Sequence, residues 1–493
     1  MNASISAIPF DNSYAALGEP LSVAQAPTPV QAAQLIRGNR ALAASLGIDE
    51  RWLDKEHADI WAGNALPPGA CPIAAAYAGH QFGQFNPQLG DGRAVLLGEV
   101  VTPDGQRFDL QLKGSGRTPW SRGGDGRSPL GPVLREYLVS EAMAALGVPT
   151  TRALAAVTTG ETVVRDGLEP GAVLTRVASS HLRVGTMEYF AAREDRQSLQ
   201  RIVDHALKRH YPEGCADEIP ALALLNAVIE AQAALIAQWQ LLGFVHGVMN
   251  TDNMLLCGET VDYGPCAFME AYRADTVFSS IDHQGRYAYR NQPGIAHWNL
   301  ARLAEALLPL IDDDTERAVA MAKDAIQRFP AAFGDAHSTG VAAKLGLAVL
   351  TEDEVDLAND LFTALEEDGA DFTLAFRFLA DEANPGGDGS GAGALFTPGA
   401  KLKTWLPQWE ERLGRESGDA GERQQRMFAA NPVFIPRNHL VQRAITAGDG
   451  GDFDFFHRLV GRLAAPHRWS IEDRDLALPA QSEERVLRTF CGT

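Results

Sequence analysis

The 493-residue sequence predicts an α+β fold with two lobes, a sheet-rich N-terminal lobe and a mostly helical C-terminal lobe. Strand-like runs with alternating apolar positions cluster between about residues 94 and 177, whereas the chain reads as mostly helical from about residue 195. Strands followed by helices in this way are typical of α+β or two-lobed proteins. The apolar fraction of 45% is ordinary for a chain that buries a core.

The clearest element of the first lobe is a hairpin. Residues 94–101 and 108–113 alternate apolar and other side chains on either side of the turn Pro103-Asp-Gly105. An Asp-Gly turn between two such runs indicates a pair of antiparallel strands.

A Gly-, Arg- and Ser-rich loop over residues 114–131 follows the hairpin and leads into a predicted helix at 133–146. Gly147 comes directly after the last apolar position of that helix, which is a common way for a helix to end. Two further strand-like runs follow, at 153–164 and 172–177.

In the second lobe, apolar residues recur at helical spacing in seven segments. The predicted helices are 197–209, 221–242, 297–308, 314–328, 339–347, 352–367 and 370–381. The Gly-rich run at 384–393 is predicted to be a flexible insertion within the helical part.

The charge balance excludes two classes of partner. With 43 basic and 63 acidic residues, the chain carries a formal net charge of −20 and repels phosphate backbones at long range. Nucleic acid and anionic membranes are therefore not expected as partners, although a local basic cluster could still bind a nucleotide. The apolar stretch 221–244 contains too many polar residues to span a bilayer and predicts a buried helix.

The chain is expected in the cytoplasm. Its N-terminus has no basic region and no long apolar core, which argues against a secretory or mitochondrial presequence. The five cysteines, at 71, 215, 257, 266 and 491, include no Cys-x-x-Cys pair, so no zinc ribbon or thioredoxin-type motif is indicated. An odd, sparse set of cysteines favours a reducing compartment.

Three elements of the first lobe suggest a phosphate site. Gly90-Asp-Gly-Arg93 precedes the first strand of the hairpin, Lys113 ends the second strand, and Glu136 lies on the helix that follows. Glycines let backbone N–H groups approach phosphates, and a strand lysine held by a helix glutamate neutralises them, in the order seen in protein kinases. Taken singly, the three have ordinary alternatives: a common turn, a solvated lysine and a surface glutamate.

The segment Phe244–Leu256, followed by Val261-Asp-Tyr-Gly264, is similar to the catalytic and metal loops of protein kinases. Asn253 and Asp262 would supply oxygen ligands to a divalent cation. The position of the kinase catalytic Asp, two residues after His246, holds Val248, which cannot accept a proton. Either the protein is catalytically dead or its base lies elsewhere, and Asp252 is the candidate base unless it only supports the metal site.

Several long strings resemble the selenoprotein O family, protein adenylyltransferases once classed as pseudokinases. The strings are Tyr77-Ala-Gly-His-Gln-Phe-Gly-Gln-Phe85, Gln111-Leu-Lys-Gly-Ser-Gly-Arg-Thr-Pro-Trp-Ser-Arg122, Gly124-Asp-Gly-Arg127, Leu134-Arg-Glu-Tyr137, His246-Gly-Val-Met-Asn-Thr-Asp-Asn253 and Asp282-His-Gln-Gly-Arg-Tyr287. The resemblance covers nearly the whole chain.

The resemblance implies a protein-kinase-like fold with ATP bound in reversed orientation. AMP would pass to Ser, Thr or Tyr hydroxyls of client proteins, and to the enzyme itself, while pyrophosphate leaves. The implied roles are Asp252 as base; Asn253 and Asp262 as ligands of Mg²⁺ or Mn²⁺; Lys113, Arg176 and Arg183 on the phosphates, with Glu136 positioning Lys113; and Gly90, Gly92, Arg93, Asp125, Gly126 and Asp262 around the nucleotide.

The same comparison divides the chain into three parts. Residues 1–80 are expected to pack as an extension on the core, 81–190 to form the nucleotide-binding lobe, and 191–493 to form the helical lobe with the catalytic and metal loops and a cysteine tail.

The C-terminus also resembles the family, which carries selenocysteine or cysteine third from the end. Here the chain ends Cys491-Gly-Thr493, whereas family members more often end Cys-Ser-Ser. Bacterial members pair this thiol with one near the metal loop, but Val277-Phe-Ser-Ser280 offers no cysteine, and Cys257 and Cys266 are nearer alternatives. Cys491 is therefore predicted to be a redox handle whose partner stays open.

Three other functions are weighed against AMP transfer. They are UMP transfer with manganese, phosphate transfer with a relocated base, and nucleotide binding without catalysis. Val248 argues against a kinase, and the retained Asn253, Asp262 and Asp252 argue against a scaffold without catalysis.

Overall fold

A computed structural model describes residues 5–165, 167–384, 386 and 389–490. Cys491 lies outside the described residues, and so does part of the Gly-rich run predicted as an insertion. The chain is a mixed α/β protein in which a sheet-rich N-terminal region is followed by a helical C-terminal region, as the sequence predicts.

The N-terminal region is built on one eight-stranded sheet. Its strands are β1 (Ser22–Ala24), β2 (Gln34–Gly38), β3 (Ile73–Ala75), β6 (Ala94–Val101), β7 (Arg107–Lys113), β8 (Ser128–Pro129), β9 (Arg152–Val164) and β10 (Leu168–Ala178). The order across the sheet is β1-β3-β6-β7-β10-β9-β2, and β8 pairs with β10. Two small antiparallel pairs in the described residues lie outside it: β4 (Gly79–Gln81) with β5 (Gln84–Asn86), and β11 (Phe244–Val245) with β12 (Ala267–Phe268).

The predicted β6–β7 hairpin is confirmed. Its two strands pair from Ala94 opposite Lys113 to Val101 opposite Arg107. The turn is closed by Thr102, whose hydroxyl oxygen accepts a hydrogen bond from the Gln106 amide at 2.9 Å. This pairing puts Lys113 at the end of a central strand, directly opposite Leu174 of β10.

The strands of the first 80 residues were not predicted, because each has only three to five residues and little alternation. β1 and β3 extend one edge of the sheet and β2 completes the other. The β10 strand also begins earlier than predicted, at Leu168, since the register shift between Pro170 and Ala172 lets the strand absorb the Pro-Gly pair.

Helices α1 (Arg40–Ser45) and α2 (Ala58–Ala62) lie between β2 and β3 in the sequence. Helix α3 (Leu130–Ala145) is the helix predicted at 133–146. Most residues of α3 are buried, against β9 and β10 on one side and the C-terminal helices on the other. A helix buried on both sides holds its polar residues firmly, and one of them is Glu136.

The helical region continues with thirteen helices in the described residues. They are α4 (Val184–Ala191), α5 (Arg196–His210), α6 (Pro220–Leu242), α7 (Gln292–Ile311), α8 (Thr315–Ile326), α9 (Phe329–Leu345), α10 (Glu352–Asp368), α11 (Phe372–Glu382), α12 (Ala400–Leu413), α13 (Ala420–Ala430), α14 (Asn438–Asp449), α15 (Asp454–Leu463) and α16 (Arg474–Ala477). All seven predicted helices are present, and α9 begins ten residues earlier than the predicted 339–347.

One glycine of α9, Gly340, lies where the helix packs against α6. A β-carbon at Gly340 would lie 2.0 Å from a methyl group of Leu241 on α6, so only glycine allows this close approach of the two helices. The α6 helix is itself the one helix in the described part of the chain that is long and apolar enough to cross a membrane. More than half of its most apolar stretch is buried in the core, in contact with α7 and α9.

Lys344 of α9 is buried, and none of the carboxylates that the structure describes forms an ion pair with it. Lys344 is only 4% exposed, and its ammonium group lies 4.1 Å from the ring centre of Phe376. Burial lowers the pKa of Lys344 from 10.5 to about 7. Between these two values the unfolded chain binds more protons than the folded one, so this residue makes the free energy of unfolding rise with pH in that window.

Lys344→Met is therefore expected to stabilise the protein at pH 7.5 by ~1–4 kcal/mol, the range found when buried ionic groups give way to apolar ones. Chemical unfolding of both proteins from pH 7 to 10 should show the difference shrinking as the pH rises. Lys403→Met, at an exposed position of α12, is the matched control and should change little. A destabilised Lys344→Met protein would show that the contact with Phe376 outweighs the cost of burial.

Candidate active site

The site is a cavity of about 470 Å³ between the central strands β6, β7 and β10 of the sheet and the first loops of the helical region. The predicted site residues that line it are Gly90, Gly92, Arg93, Lys113, Asp125, Gly126, Arg176, Arg183, Asp252, Asn253 and Asp262. Glu136 lies behind Lys113 and is buried. The structure thus brings the predicted set together from residues as far apart as 90 and 262, Cys491 excepted.

Two carboxylates, of Asp262 and Glu136, lie deep in the cavity among three basic side chains. Lys113 Nζ lies 2.6 Å from Glu136 Oε2 and 3.1 Å from Asp262 Oδ1. Arg176 bonds the same two carboxylates, through Nε to Glu136 and Nη2 to Asp262. Three cations and two carboxylates therefore share this centre once Arg183 is added, 3.2 Å from Asp262 Oδ2.

The β10 strand explains how Arg176 arrives there. Arg176 pairs with Gln111 in the ladder between β10 and β7, two positions from the Lys113 pair, so both side chains project from the same face of the sheet. Arg183 follows β10 and precedes α4; its guanidinium donates to the Asp252 carbonyl at 2.8 Å and lies over the Tyr77 ring at 4.6 Å.

The charged groups at this centre shift one another's pKa. Burial alone would raise the pKa of Asp262, but Arg176, Lys113 and Arg183 hold it well below the usual range for Asp. Burial would likewise raise the pKa of Glu136, and Arg176 and Lys113 lower it. The pKa of Lys113 is lowered by burial and by Arg176. Both carboxylates are thus ionised at neutral pH, and the cations remain fixed in place.

Asp262 has an unusual backbone. Its φ of 64° lies in the left-handed region that residues with a side chain rarely adopt. Strained conformations of this kind persist at functional sites where the surroundings hold them. Here the neighbouring Tyr263 is fully buried and bonds Thr150 through its hydroxyl, which anchors the strained turn.

Asp252 lies on a single 3₁₀ turn, Thr251–Asn253, and is 7% exposed. Gln81 Nε2 donates to its Oδ2 at 3.2 Å, while Oδ1 is buried and has no hydrogen-bond partner among the described residues. Burial raises the pKa of Asp252 to about 6, although the Arg183 charge opposes the shift. A carboxylate with one unpaired oxygen and a pKa near neutrality suits a general base.

Two other residues of the loop that carries Asp252 make contacts that hold it in place. The side-chain NH₂ of Asn253 donates to the Val248 carbonyl at 2.9 Å, which fixes the amide. His246 is buried, stacks on Trp239 and shares a 2.8 Å hydrogen bond with the Val261 carbonyl, next to Asp262. The histidine thereby ties the two loops together, and burial lowers its pKa.

The glycines of the predicted phosphate loop are required by packing. A β-carbon at Gly90 would lie 2.4 Å from the Trp120 ring, and one at Gly126 would lie 2.1 Å from the Gly116 carbonyl oxygen. Both glycines also have positive φ. The turn at Gly90 therefore packs closely against the 114–131 loop, and that loop packs closely on itself at Gly126. Arg165 of the β9–β10 connection holds the same loop through a two-pronged ion pair with Asp125 at 2.9 Å.

The donor set fits a magnesium- or manganese-type cation. The described residues contain no cluster of three or more His, Cys, Asp or Glu side chains able to hold a metal. An ionised Asp262 and the fixed amide of Asn253 supply oxygen donors, which hard cations prefer, and such cations commonly complete their shell with water and phosphate oxygens.

Several lining residues had no predicted role. Tyr77, Gln81, Phe82 and Trp120 line the cavity, and their only sequence signal is that they lie in strings that resemble the family. The four described cysteines, at 71, 215, 257 and 266, form no disulfide with one another, and the pairing of Cys491 stays a prediction.

Known proteins share this sequence over its length. The family model described as protein adenylyltransferase SelO matches residues 4–464. A protein nucleotidyltransferase YdiU of Rhodopseudomonas palustris strain BisB5 is 56% identical over 487 residues, covering 98% of this chain and 99% of the relative. Proteins of the same name from R. palustris strain HaA2 and Bradyrhizobium sp. strain BTAi1 are 55% and 56% identical with the same coverage.

Proposed function

Because this chain belongs to the family of protein adenylyltransferase SelO and is a nucleotidyltransferase, we propose that it transfers AMP from ATP to Ser, Thr or Tyr hydroxyls of proteins. Pyrophosphate is the leaving group. The observation that carries the proposal is the grouping of Lys113, Arg176 and Arg183 around Asp262, next to a base candidate that is not at the kinase position.

The same grouping supports the proposed reversed orientation of the nucleotide. Three buried cations are suited to the β- and γ-phosphates, because guanidinium and ammonium groups bind phosphate oxygens strongly in water-poor surroundings. If those phosphates lie deep, the α-phosphate lies outward, on the side of Asp252. ATP is then reversed relative to its orientation in a kinase, and Gly90, Gly92, Arg93, Asp125 and Gly126 line the remaining nucleotide site.

The chain's own residues then have separate tasks. Arg176, Arg183 and Lys113 hold the phosphates and stabilise the charge that develops on pyrophosphate, and Glu136 holds Lys113. Asp252 accepts the proton of the acceptor hydroxyl. The hydroxyl oxygen attacks the α-phosphorus, and the bond between that phosphorus and pyrophosphate breaks. Asn253 and Asp262 would hold Mg²⁺ or Mn²⁺, which when bound offsets phosphate charge.

A protein-kinase-like arrangement is part of the proposal. The order of hairpin, strand lysine, helix glutamate, His-containing loop and Asp-Tyr-Gly turn follows that of kinases, with the contacts expected between them. The division at residues 80 and 190, a cytoplasmic location and protein clients are proposed with it, and Cys491 is proposed as a redox handle.

Radiolabel from α-³²P-ATP is expected on protein, including the enzyme itself, and label from γ-³²P-ATP is not. The measurement uses parallel reactions with α-³²P-ATP, γ-³²P-ATP and α-³²P-UTP, each in Mg²⁺ and in Mn²⁺. Denaturing gels then show which label is on protein. Transfer of the γ-label alone would identify a kinase and overturn the proposal. Labelling from α-³²P-UTP in preference to ATP would identify UMP transfer, and no labelling from any of them would favour a scaffold without catalysis.

A further inference from the structure

The short strand β4 runs alongside the segment that carries the base candidate. Three consecutive residues of β4 and the turn after it bond three consecutive residues of that segment. The His80 amide donates to Thr251 Oγ1 at 2.7 Å, Gln81 Nε2 donates to Asp252 Oδ2 at 3.2 Å, and the Phe82 amide donates to Asn250 Oδ1 at 3.1 Å.

The first of these contacts is locked from behind by a buried carboxylate. Glu188 of α4 accepts a 2.5 Å hydrogen bond from the Thr251 hydroxyl with Oε2, and its Oε1 lies 2.5 Å from Nδ1 of His80. The strand is also packed without slack, since a β-carbon at Gly79 would lie 2.6 Å from Asp252 Oδ1. Neither β4 nor the 3₁₀ turn can shift without breaking several buried contacts.

The third contact involves backbone strain. Phe82 has a φ of 51°, in the left-handed region that is costly for an aromatic residue. Its amide donates to Asn250 Oδ1 and lies 3.2 Å from the Tyr287 hydroxyl oxygen. The centres of the Phe82 and Tyr287 rings are 5.1 Å apart. The strained turn fixes the residue that directly follows Gln81, so the Gln81 side chain starts from a fixed backbone.

We propose that Gln81 is a positioning residue for the nucleotidyl-transfer reaction, and that β4 is the template that orients the Asp252 carboxylate. Gln81 holds Oδ2 from one side, and Oδ1 is buried against the backbone at Gly79, so the carboxylate does not rotate. The proposal rests on Asp252 being the base in the proposed function. Partners that orient a reactive group typically matter by 10–100-fold in activity.

Gln81→Met removes the donor and keeps the length of the side chain. At saturating ATP and Mn²⁺, the rate of incorporation of α-³²P label into protein is expected to fall roughly 10- to 100-fold. ATP affinity measured calorimetrically, and the melting temperature, should stay at wild-type values. Gln81→Glu should be slower still, because it places a second carboxylate beside Asp252.

The matched control is Gln84→Met on the facing strand β5. Gln84 pairs with Gln81 across the turn but is exposed and does not line the cavity, so its rate should equal that of the wild type. A Gln81→Met protein with the wild-type rate would overturn the inference. A Gln81→Met protein in which the rate, the ATP affinity and the melting temperature all fall together would also overturn it. So would a Gln81→Glu protein that is more active than Gln81→Met, since a purely structural role predicts both results.

The same reactions keep the two proposals apart. If the wild type incorporates only γ-label, the proposed AMP transfer fails whatever Gln81 does. If the wild type incorporates α-label and Gln81→Met matches it, only the positioning role fails.

Discussion

Asp252→Asn is expected to lower the rate of AMP transfer by roughly 10²–10⁴-fold, the usual contribution of a positioned general base. Asparagine keeps the shape of the side chain and its contact with Gln81 but has no basic oxygen to accept the hydroxyl proton. ATP binding should persist because Lys113, Arg176 and Arg183 are unchanged. The wild-type rate should also fall as the pH drops below about 6, where Asp252 becomes protonated.

The competing interpretation is that Asp252 only supports the metal site. It predicts a modest fall that excess Mg²⁺ or Mn²⁺ restores, so the rate of Asp252→Asn should be measured across a metal titration. Rescue by metal would contradict the base assignment. Val248→Asp in the Asp252→Asn protein is the second control, and it should not restore AMP transfer, because the kinase base position would face the wrong phosphate of a reversed nucleotide.

Asp262→Ala is expected to abolish AMP transfer altogether, because Asp262 is the proposed oxygen ligand of the cation and also the partner of three basic side chains. The variant should also lose stability without nucleotide, by roughly 1–3 kcal/mol, since buried cations are left with fewer partners. Thermal unfolding with and without pyrophosphate tests this second effect: added pyrophosphate should stabilise Asp262→Ala more than the wild type.

Asp312→Ala provides the comparison for Asp262→Ala. It removes an ion pair with Arg317, a largely exposed residue, and such pairs contribute little to stability. Full activity of Asp262→Ala in the presence of a chelator would contradict its role as a metal ligand. Equal stabilisation of variant and wild type by pyrophosphate would contradict its role as the counter-ion of the three cations.

The sequence predicted best those elements that a short stretch of chain defines by itself. The β6–β7 hairpin has a recognisable turn between its two strands, and α3 and α6 have long runs of apolar residues at helical spacing. Helices such as α12 were missed because Pro407 interrupts the pattern, yet the structure accommodates it within Ala400–Leu413.

Contacts between distant parts of the chain could not be predicted from local patterns. Arg176 and Arg183 read as surface arginines until the family resemblance gave them a role, because only the ladder between β10 and β7 shows that Arg176 faces Glu136. Gln81 had no role at all, since its partner Asp252 is far along the sequence and β4 has only three residues.

The contacts of Asp262 have a consequence for the energetics of ligand binding. Its carboxylate is paired with the three basic side chains, so under the proposed function a triphosphate would bind them in exchange for an anion that is part of the protein. A nucleotide alone must compete with Asp262, whereas a nucleotide accompanied by a divalent cation gives that carboxylate a new partner. The two ligands should therefore favour each other's binding, and thermodynamic linkage requires that the gain be the same in both directions.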